Sequence, residues 1–428
     1  MRSRFAVVLG WTGLLAAAPA VVYLVLFHGT LTAAAAVAAC FTLLVWPRPD
    51  LALLVLLALV PVAAVADPTG AAAVALVTGV VALLLLRTVV LSGLRVRADL
   101  VVIVLMAFVV TASYLLPQVA LTVERQWKGY VLLLVALGLL VVSAAAPADP
   151  LRIAQVVAIA GACAAGYLLL RGEYAADRLT GLGLNPNYAG AMLALPLVAA
   201  AGLARLHRSW LWLLPALVCG AAILQTRSRG TFLMVAAGLA CVVLVGRPLR
   251  HKVLIALSLA GVALALPGTL DVVGENLTGS RTSTELTSNT EVRKQAAWLA
   301  ARVALEHPLR GIGYGAFPDY ARTSSELGIY INTHNDLLRL AVEAGIGALA
   351  LFAVLLWLGL ARRHAPHQAI LQSMGVAYVV GLLFANTLTH VIVTAPFWVC
   401  LGCLLAQPRH TQPTTTPSPT PLLSVRKT

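Results

Sequence analysis

Residues 51–66 read LALLVLLALVPVAAVA, and after Asp67-Pro-Thr-Gly70 a second run, 71–91, reads AAAVALVTGVVALLLLRTVVL. The first run carries no charge and the second carries only Arg87. A helix that crosses a bilayer needs about 20 apolar residues, within a range of about 17–25. Two such runs joined by a Pro-Gly turn predict a pair of spanning helices. The pattern repeats outward in both directions. Candidate spans fall at 5–27, 29–46, 51–66, 71–91, 100–116, 128–146, 151–170, 186–205, 209–225, 229–246 and 251–266. After a polar stretch come 335–361, 368–385 and 388–406. The expected fold class is an all-α, polytopic membrane protein of about 12–14 transmembrane helices.

Composition agrees. Of 428 residues, 60% are hydrophobic and 11% charged, with a mean hydropathy of +0.92. Soluble domains hold roughly 45–50% apolar and about 25% charged residues, so a soluble globular fold is excluded. The net charge of +14 is scattered between apolar runs and does not form the basic face that nucleic acid requires. The six cysteines all sit in apolar runs and read as small core hydrophobes. That includes Cys400 and Cys403, where a thiolate in lipid is disfavoured.

The basic residues set the orientation. From a cytoplasmic N-terminus, alternate loops carry Arg2/Arg4, Arg48, Arg95/Arg97, Arg152, Arg205/Arg208, Arg247/Arg250/Lys252 and Arg362/Arg363. The intervening loops are sparser. Both termini are therefore expected inside, with a first helix retained after Met1. The chain divides into a first bundle at 1–266, a periplasmic segment at 267–333, a second bundle at 334–406 and a disordered cytoplasmic tail at 407–428 rich in Pro, Thr and Ser. Within the periplasmic segment, 291–306 has a helical period with Val292, Ala296, Leu299 and Val303 on one face. It reads as an amphipathic helix on the membrane surface. Gly311-Ile-Gly-Tyr-Gly315 follows as a flexible turn, and Asn332 or Thr333 is expected to cap the next helix.

Polar residues that lipid would reject mark the chemistry, and they fall on the outer side. Arg227 and Arg229 flank Ser228 in a short turn before Gly230. Paired guanidiniums there suit bidentate capture of a phosphate or diphosphate. Arg293 and Lys294 form a second cationic group. His334, followed by Asn335 and Asp336, stands at a helix start, where the positive dipole end lowers a histidine pKa and favours a neutral base. Asn185-Pro-Asn-Tyr188 opens another span, with Asn185 as its cap and Asn187 and Tyr188 beside it. His390 falls inside the 388–406 run and reads as a packing residue. No Walker A, HExxH, Gly-x-Ser-x-Gly or Asp-x-Asp motif is present, so neither a metal nor a cofactor is expected. The spans hold few carboxylates, which weakens an ion-coupled transporter.

At this point the residues resemble a known family. Thr226-Arg-Ser-Arg-Gly230, Arg293 with Trp298, His307-Pro-Leu-Arg-Gly-Ile-Gly-Tyr-Gly-Ala-Phe317, and Thr333-His-Asn-Asp-Leu-Leu-Arg-Leu-Ala-Val-Glu-Ala-Gly-Ile-Gly347 look like the O-antigen ligase and polymerase superfamily. The resemblance implies an all-helical, metal-independent, inverting glycosyltransferase of the Gram-negative inner membrane. Its donor would be an undecaprenyl-diphosphate-linked glycan and its acceptor the lipid A core oligosaccharide, met at the periplasmic face among membrane lipids. By the same resemblance His334 is the family histidine and Arg229 and Arg293 the family arginines, with Arg227 as an extension. Asn335 or Asp336 would orient the imidazole or the acceptor. The runner-up is an O-antigen polymerase using the same donor. From another class, a polyprenyl-glycan flippase would hold the same diphosphate but needs a polar path between spans.

Overall fold

The computed structural model describes residues 46–67, 69–92, 97–119, 127–244, 283–362 and 364–406. The expected spans at 5–27, 29–46 and 251–266 and the tail lie largely or wholly outside these residues. Long apolar helices form where the sequence placed them: α1 (Pro49–Ala66), α2 (Ala71–Arg87, continued by a π turn Thr88–Ser92), α3 (Ala98–Leu115), α4 (Trp127–Ala145), α5 (Pro150–Arg171) and α6 (Pro186–His207). These six are long and apolar enough to cross a membrane. A short antiparallel ribbon joins α5 to α6, with β1 (Glu173–Ala175) paired to β2 (Arg178–Thr180) and Tyr174 opposite Leu179. After it come α7 (Leu213–Thr226), α8 (Arg229–Val243), α9 (Ser283–Glu306), α10 (Phe317–Thr323), α11 (Asp336–Ala344), α12 (Ile346–Leu360), α13 (Pro366–Leu382) and α14 (Val391–Leu405).

Helix α6 is the inner post of the bundle. It touches α5, α7, α8, α13 and α14, and its small residues Ala189, Gly190, Ala194, Ala199 and Gly202 are buried. Between helices in lipid there is little hydrophobic drive, so close backbone approach through small side chains replaces it. At Gly161 of α5 an added Cβ would stand 2.2 Å from the Pro196 ring of α6. Helix α14 is the second post, packed on α4, α12 and α13. Arg97 ties one end of the molecule together. It donates to the carbonyl of Leu405 at 2.7 Å and of Ala144 at 3.3 Å, and pairs with Asp99 at 3.0 Å. Because α3, α4 and α14 run in known senses, the ends that begin α4, α6, α8, α11 and α14 gather at the opposite end.

Two expectations change there. The run 335–361 is not one helix. It breaks at Gly345, whose φ of +88° is a left-handed value that a side chain would resist. A Cβ there would also meet the Leu309 carbonyl oxygen at 2.5 Å. The cause is polar. Asp336, Arg339 and Glu343 recur at helical spacing, share one face of α11 and are all buried. Arg339 Nε donates to Glu343 Oε2 at 2.9 Å, and Glu343 Oε1 accepts from the Phe317 amide at 3.3 Å. Such a helix belongs against protein, not lipid.

The amphipathic helix α9 begins earlier than 291, and its apolar face meets protein as well. Ala296, Leu299, Ala300 and Val303 are buried, and Leu299, Ala300 and Val303 pack with Ile312, Phe317, Ala321 and Val342, so the expected face is right but its partner is not the membrane surface. Trp298 and Leu305 point outward, exposed. The glycine turn at 311–315 is docked and not loose: Ile312 N donates to Val342 O at 2.9 Å and Gly313 N to Glu343 O at 3.1 Å. Gly311, at φ +64°, leaves 2.5 Å between a would-be Cβ and the Val342 oxygen.

Removing one partner of a buried ion pair strands the other charge and costs about 3–5 kcal/mol, whereas replacing both by apolar groups is often neutral. Arg339→Leu is therefore expected to lower the thermal midpoint of the purified protein sharply. Arg339→Leu combined with Glu343→Leu should recover most of the loss. A double variant no better than the single would mean that the pair is not what holds α11.

Candidate active site

Four segments meet at this end: the start of α6, the turn between α7 and α8, the entry to α11, and the loop 383–390 before α14. Each is built from its own sequence. Asn185 caps α6, accepting at 3.0 Å from the amides of both Asn187 and Tyr188, as its position predicts. Ser228 caps α8, where its Oγ accepts from the Thr231 hydroxyl at 2.9 Å. The cap of α11 is Asn335, not Asn332 or Thr333. Its Oδ1 accepts from the amides of Leu337 and Leu338 at 2.9 and 3.0 Å, and Thr333 Oγ1 donates to the Asn335 carbonyl at 2.9 Å. The Asn335 side chain is thus committed to the helix end.

The segments are then laced together by side chains, among them one that the sequence reading did not single out. Arg178, in β2, is buried. Its Nε donates to the Thr226 carbonyl at 2.9 Å and its Nη2 to Asn187 Oδ1 at 2.6 Å. One guanidinium therefore fixes the arginine turn against α6 and occupies Asn187. At Gly190, an added Cβ would lie 2.4 Å from the Thr231 hydroxyl, so the same contact is tight one turn further on. Tyr188 donates its hydroxyl to the Asn386 carbonyl at 3.1 Å, and its ring lies 4.3 Å from that of His390. Asp336 is fully buried. Its Oδ2 accepts from the amides of Thr387 and Leu388 at 2.7 and 2.8 Å, so it orients a loop and not the imidazole. His390 is the N-cap residue of α14 and lines a cavity beside Tyr188. It is not mid-span packing.

The residues read as catalytic from the sequence stand as follows. His334 is half-buried and its backbone is left-handed, at φ +52°. A side chain in that region is uncommon and strained, and such strain gathers at functional sites. Burial, and after it the charge of Arg293, push its imidazole pKa down to about 4. The helix terminus is not the cause. The charges of Arg293, Arg339 and Asp336 also reach Tyr188, so Tyr188, His334 and Arg293 form one neighbourhood. Arg227 is left-handed too, at φ +48°. Its Nη1 is buried without a hydrogen-bond partner among the described residues. Arg229 is exposed at the first turn of α8. Among the described residues no group of three or more His, Cys, Asp and Glu side chains is placed to hold a metal ion.

The O-antigen ligase family matches residues 214–353. That stretch runs from α7 through the arginine turn, α9 and His334 to α12. No curated protein matches the chain. The O-antigen ligase match, with the apolar helices around it, supports a multi-pass membrane protein of ligase or polymerase type, glycosyltransferase-like in its chemistry.

The depressed pKa of His334 fixes the sign of its pH dependence. Above about pH 4 the His334 ring is neutral. Between the ordinary value of 6.5 and about 4, the unfolded chain binds a proton that the folded one refuses, so this group's contribution to stability falls as pH drops through that window. Arg293→Gln should raise the pKa. Titration of the histidines in selectively labelled protein by nuclear magnetic resonance checks both, and a His334 ring titrating near 6.5 in the native protein would contradict the placement.

Proposed function

We propose that the protein is an O-antigen ligase. It transfers a glycan from undecaprenyl diphosphate to a sugar hydroxyl of the lipid A core, with inversion and without a metal or cofactor. The site then lies on the periplasmic face of a Gram-negative inner membrane, with 267–333 periplasmic and both termini cytoplasmic. The observation that carries this reading is the neutral, half-buried His334 imidazole under the charge of Arg293, inside the matched domain.

The chemistry balances with these groups alone. The acceptor oxygen attacks the anomeric carbon from the face opposite the diphosphate. The bond from that carbon to the phosphate oxygen breaks, and its electron pair leaves on the diphosphate. Arg229, Arg293 and Arg227 neutralise that developing charge, as preorganised cations do in a site of low polarity. His334 takes the hydroxyl proton. The buried, unpartnered Nη1 of Arg227 is a donor in want of an anion. In the free protein the His334 ring is a weak base, because burial and, after it, the charge of Arg293 oppose its protonation. A bound diphosphate cancels that charge and raises the ring's proton affinity when the donor is in place. Asp336 and Asn335 act one step back, holding the 386–390 loop and the start of α11.

Four measurements test this. His334→Ala should leave protein in the membrane and abolish transfer in a purified assay without metal or ATP. Full activity would remove the base. Arg229→Ala and Arg293→Ala should impair donor use more than acceptor use, and equal losses would argue against a diphosphate clamp. The product from carrier-linked glycan mixed with lipid A core should be a capped core. A lengthened carrier-linked chain would make the enzyme a polymerase. Because kcat/KM reports free-enzyme groups and kcat those of the complex, the acid limb of kcat should lie at higher pH than that of kcat/KM. Coincident limbs would exclude activation of the base by the donor.

A further inference from the structure

A cavity of about 420 Å³ opens between the start of α4, Tyr188 of α6, Asn332, Arg339 and the loop residues Asn386, Thr389 and His390. From α4 it receives Trp127, Lys128, Gly129 and Leu132. Its volume falls within the roughly 300–1,000 Å³ of small-molecule sites. The lining decides the ligand class. The charge of Arg339 is committed to Glu343 at 2.9 Å. What the walls offer is two amides, a hydroxyl, an imidazole and two ring faces, with Lys128 at the edge. An acyl chain would leave the amides unpaired, and a bare phosphate would not use the rings. A sugar matches both, with hydroxyls for the amides and a C–H face for the aromatic rings.

Asn386 supplies the second, independent observation. It is 5% exposed, and its Oδ1 lies 3.4 Å from the Thr333 hydroxyl. Its Nδ2 has no hydrogen-bond partner among the described residues. Buried donors are nearly always paired in native proteins. The residue is also held firmly: Tyr188 bonds its carbonyl at 3.1 Å, and Asp336 clamps the next two amides. We propose that this cavity is a saccharide subsite in which Asn386 Nδ2 donates to an oxygen of one sugar, with Trp127 and Tyr188 supplying the apolar faces. The inference rests on the glycosyl-transfer reading. The sugar belongs to the donor glycan or to the acceptor core, and both present the same chemistry.

The test uses the full-length protein in lipid nanodiscs and two lipid-free probes: the oligosaccharide cleaved from the carrier diphosphate, and the core oligosaccharide cleaved from lipid A. Binding of each is measured by calorimetry, and KM for each intact substrate is measured separately. Asn386→Ala and Asn386→Asp, which both lose the donor, should weaken one probe about tenfold, the ~1.4 kcal/mol of one hydrogen bond, and raise KM for the matching substrate alike, with kcat within about twofold. The probe affected assigns the subsite to donor or acceptor. Unchanged affinity for both probes, or a fall in kcat at constant KM, overturns the proposal. Trp127, 51% exposed, tolerates substitution without unfolding, so Trp127→Ala must weaken the same probe, and normal binding there also overturns it. Asn386-dependent binding in a wild-type protein that transfers nothing would sink the ligase reading and keep the subsite. Normal transfer with Asn386-independent binding would do the reverse.

Discussion

The buried Arg339–Glu343 pair, at 2.9 Å, is the constraint on which the catalytic end depends. A carboxylate and a guanidinium removed from water are tolerated only with their remaining atoms satisfied. Glu343 meets that demand through the Phe317 amide, while its own carbonyl accepts from Gly313 and from the Ser113 hydroxyl. Arg339 lies 5.3 Å over the buried Tyr314 ring. The segment 311–317 is thereby fastened to α3 and α11 by a single polar knot. Its neighbour on the same helix face, Asp336, extends the knot to the loop before α14.

The polar residues gathered at this end divide into buried ones that hold the backbone and others left at the surface. Asn335, Asp336, Asn187 and Ser228 look like reactive polar residues in the sequence, yet Asn335 and Ser228 are spent on caps, one Asp336 oxygen on backbone amides and Asn187 on the Arg178 guanidinium. Arg229 and Arg293 remain exposed, and His334 remains half-buried. This division separates groups that hold the geometry from groups that can meet a reactant. It also explains why a histidine sits in a strained backbone region: the cap behind it and the clamp beside it over-determine its conformation.

Much of the bundle was legible because apolar length is a strong signal. The expected starts and ends of α1 to α6 fall within a few residues of the observed ones. His334 and Arg293 stood out in the sequence as polar residues beside apolar runs, and the fold brings the charge of Arg293 to bear on His334. Three things were not legible. Arg178 looked like one more loop arginine, since nothing local reveals a bond to a carbonyl 48 positions away. The run 335–361 looked continuous, because its apolar residues mask a polar face spaced at 336, 339 and 343. Residues 388–390 of Asn386-Thr-Leu-Thr-His390 were absorbed into the 388–406 span, although four polar residues in five was a sign of a longer loop.

Four of the later apolar helices are shorter than α1 to α6. α7, α8, α12 and α14 have 14 or 15 residues, which gives about 21–23 Å of rise at 1.5 Å per residue. A hydrocarbon core of about 30 Å overhangs them. Hydrophobic mismatch of this sense is relieved by thinning of the surrounding leaflets. On that flank headgroups would be drawn inward, toward the depth of the arginine turn, without any motion of the protein.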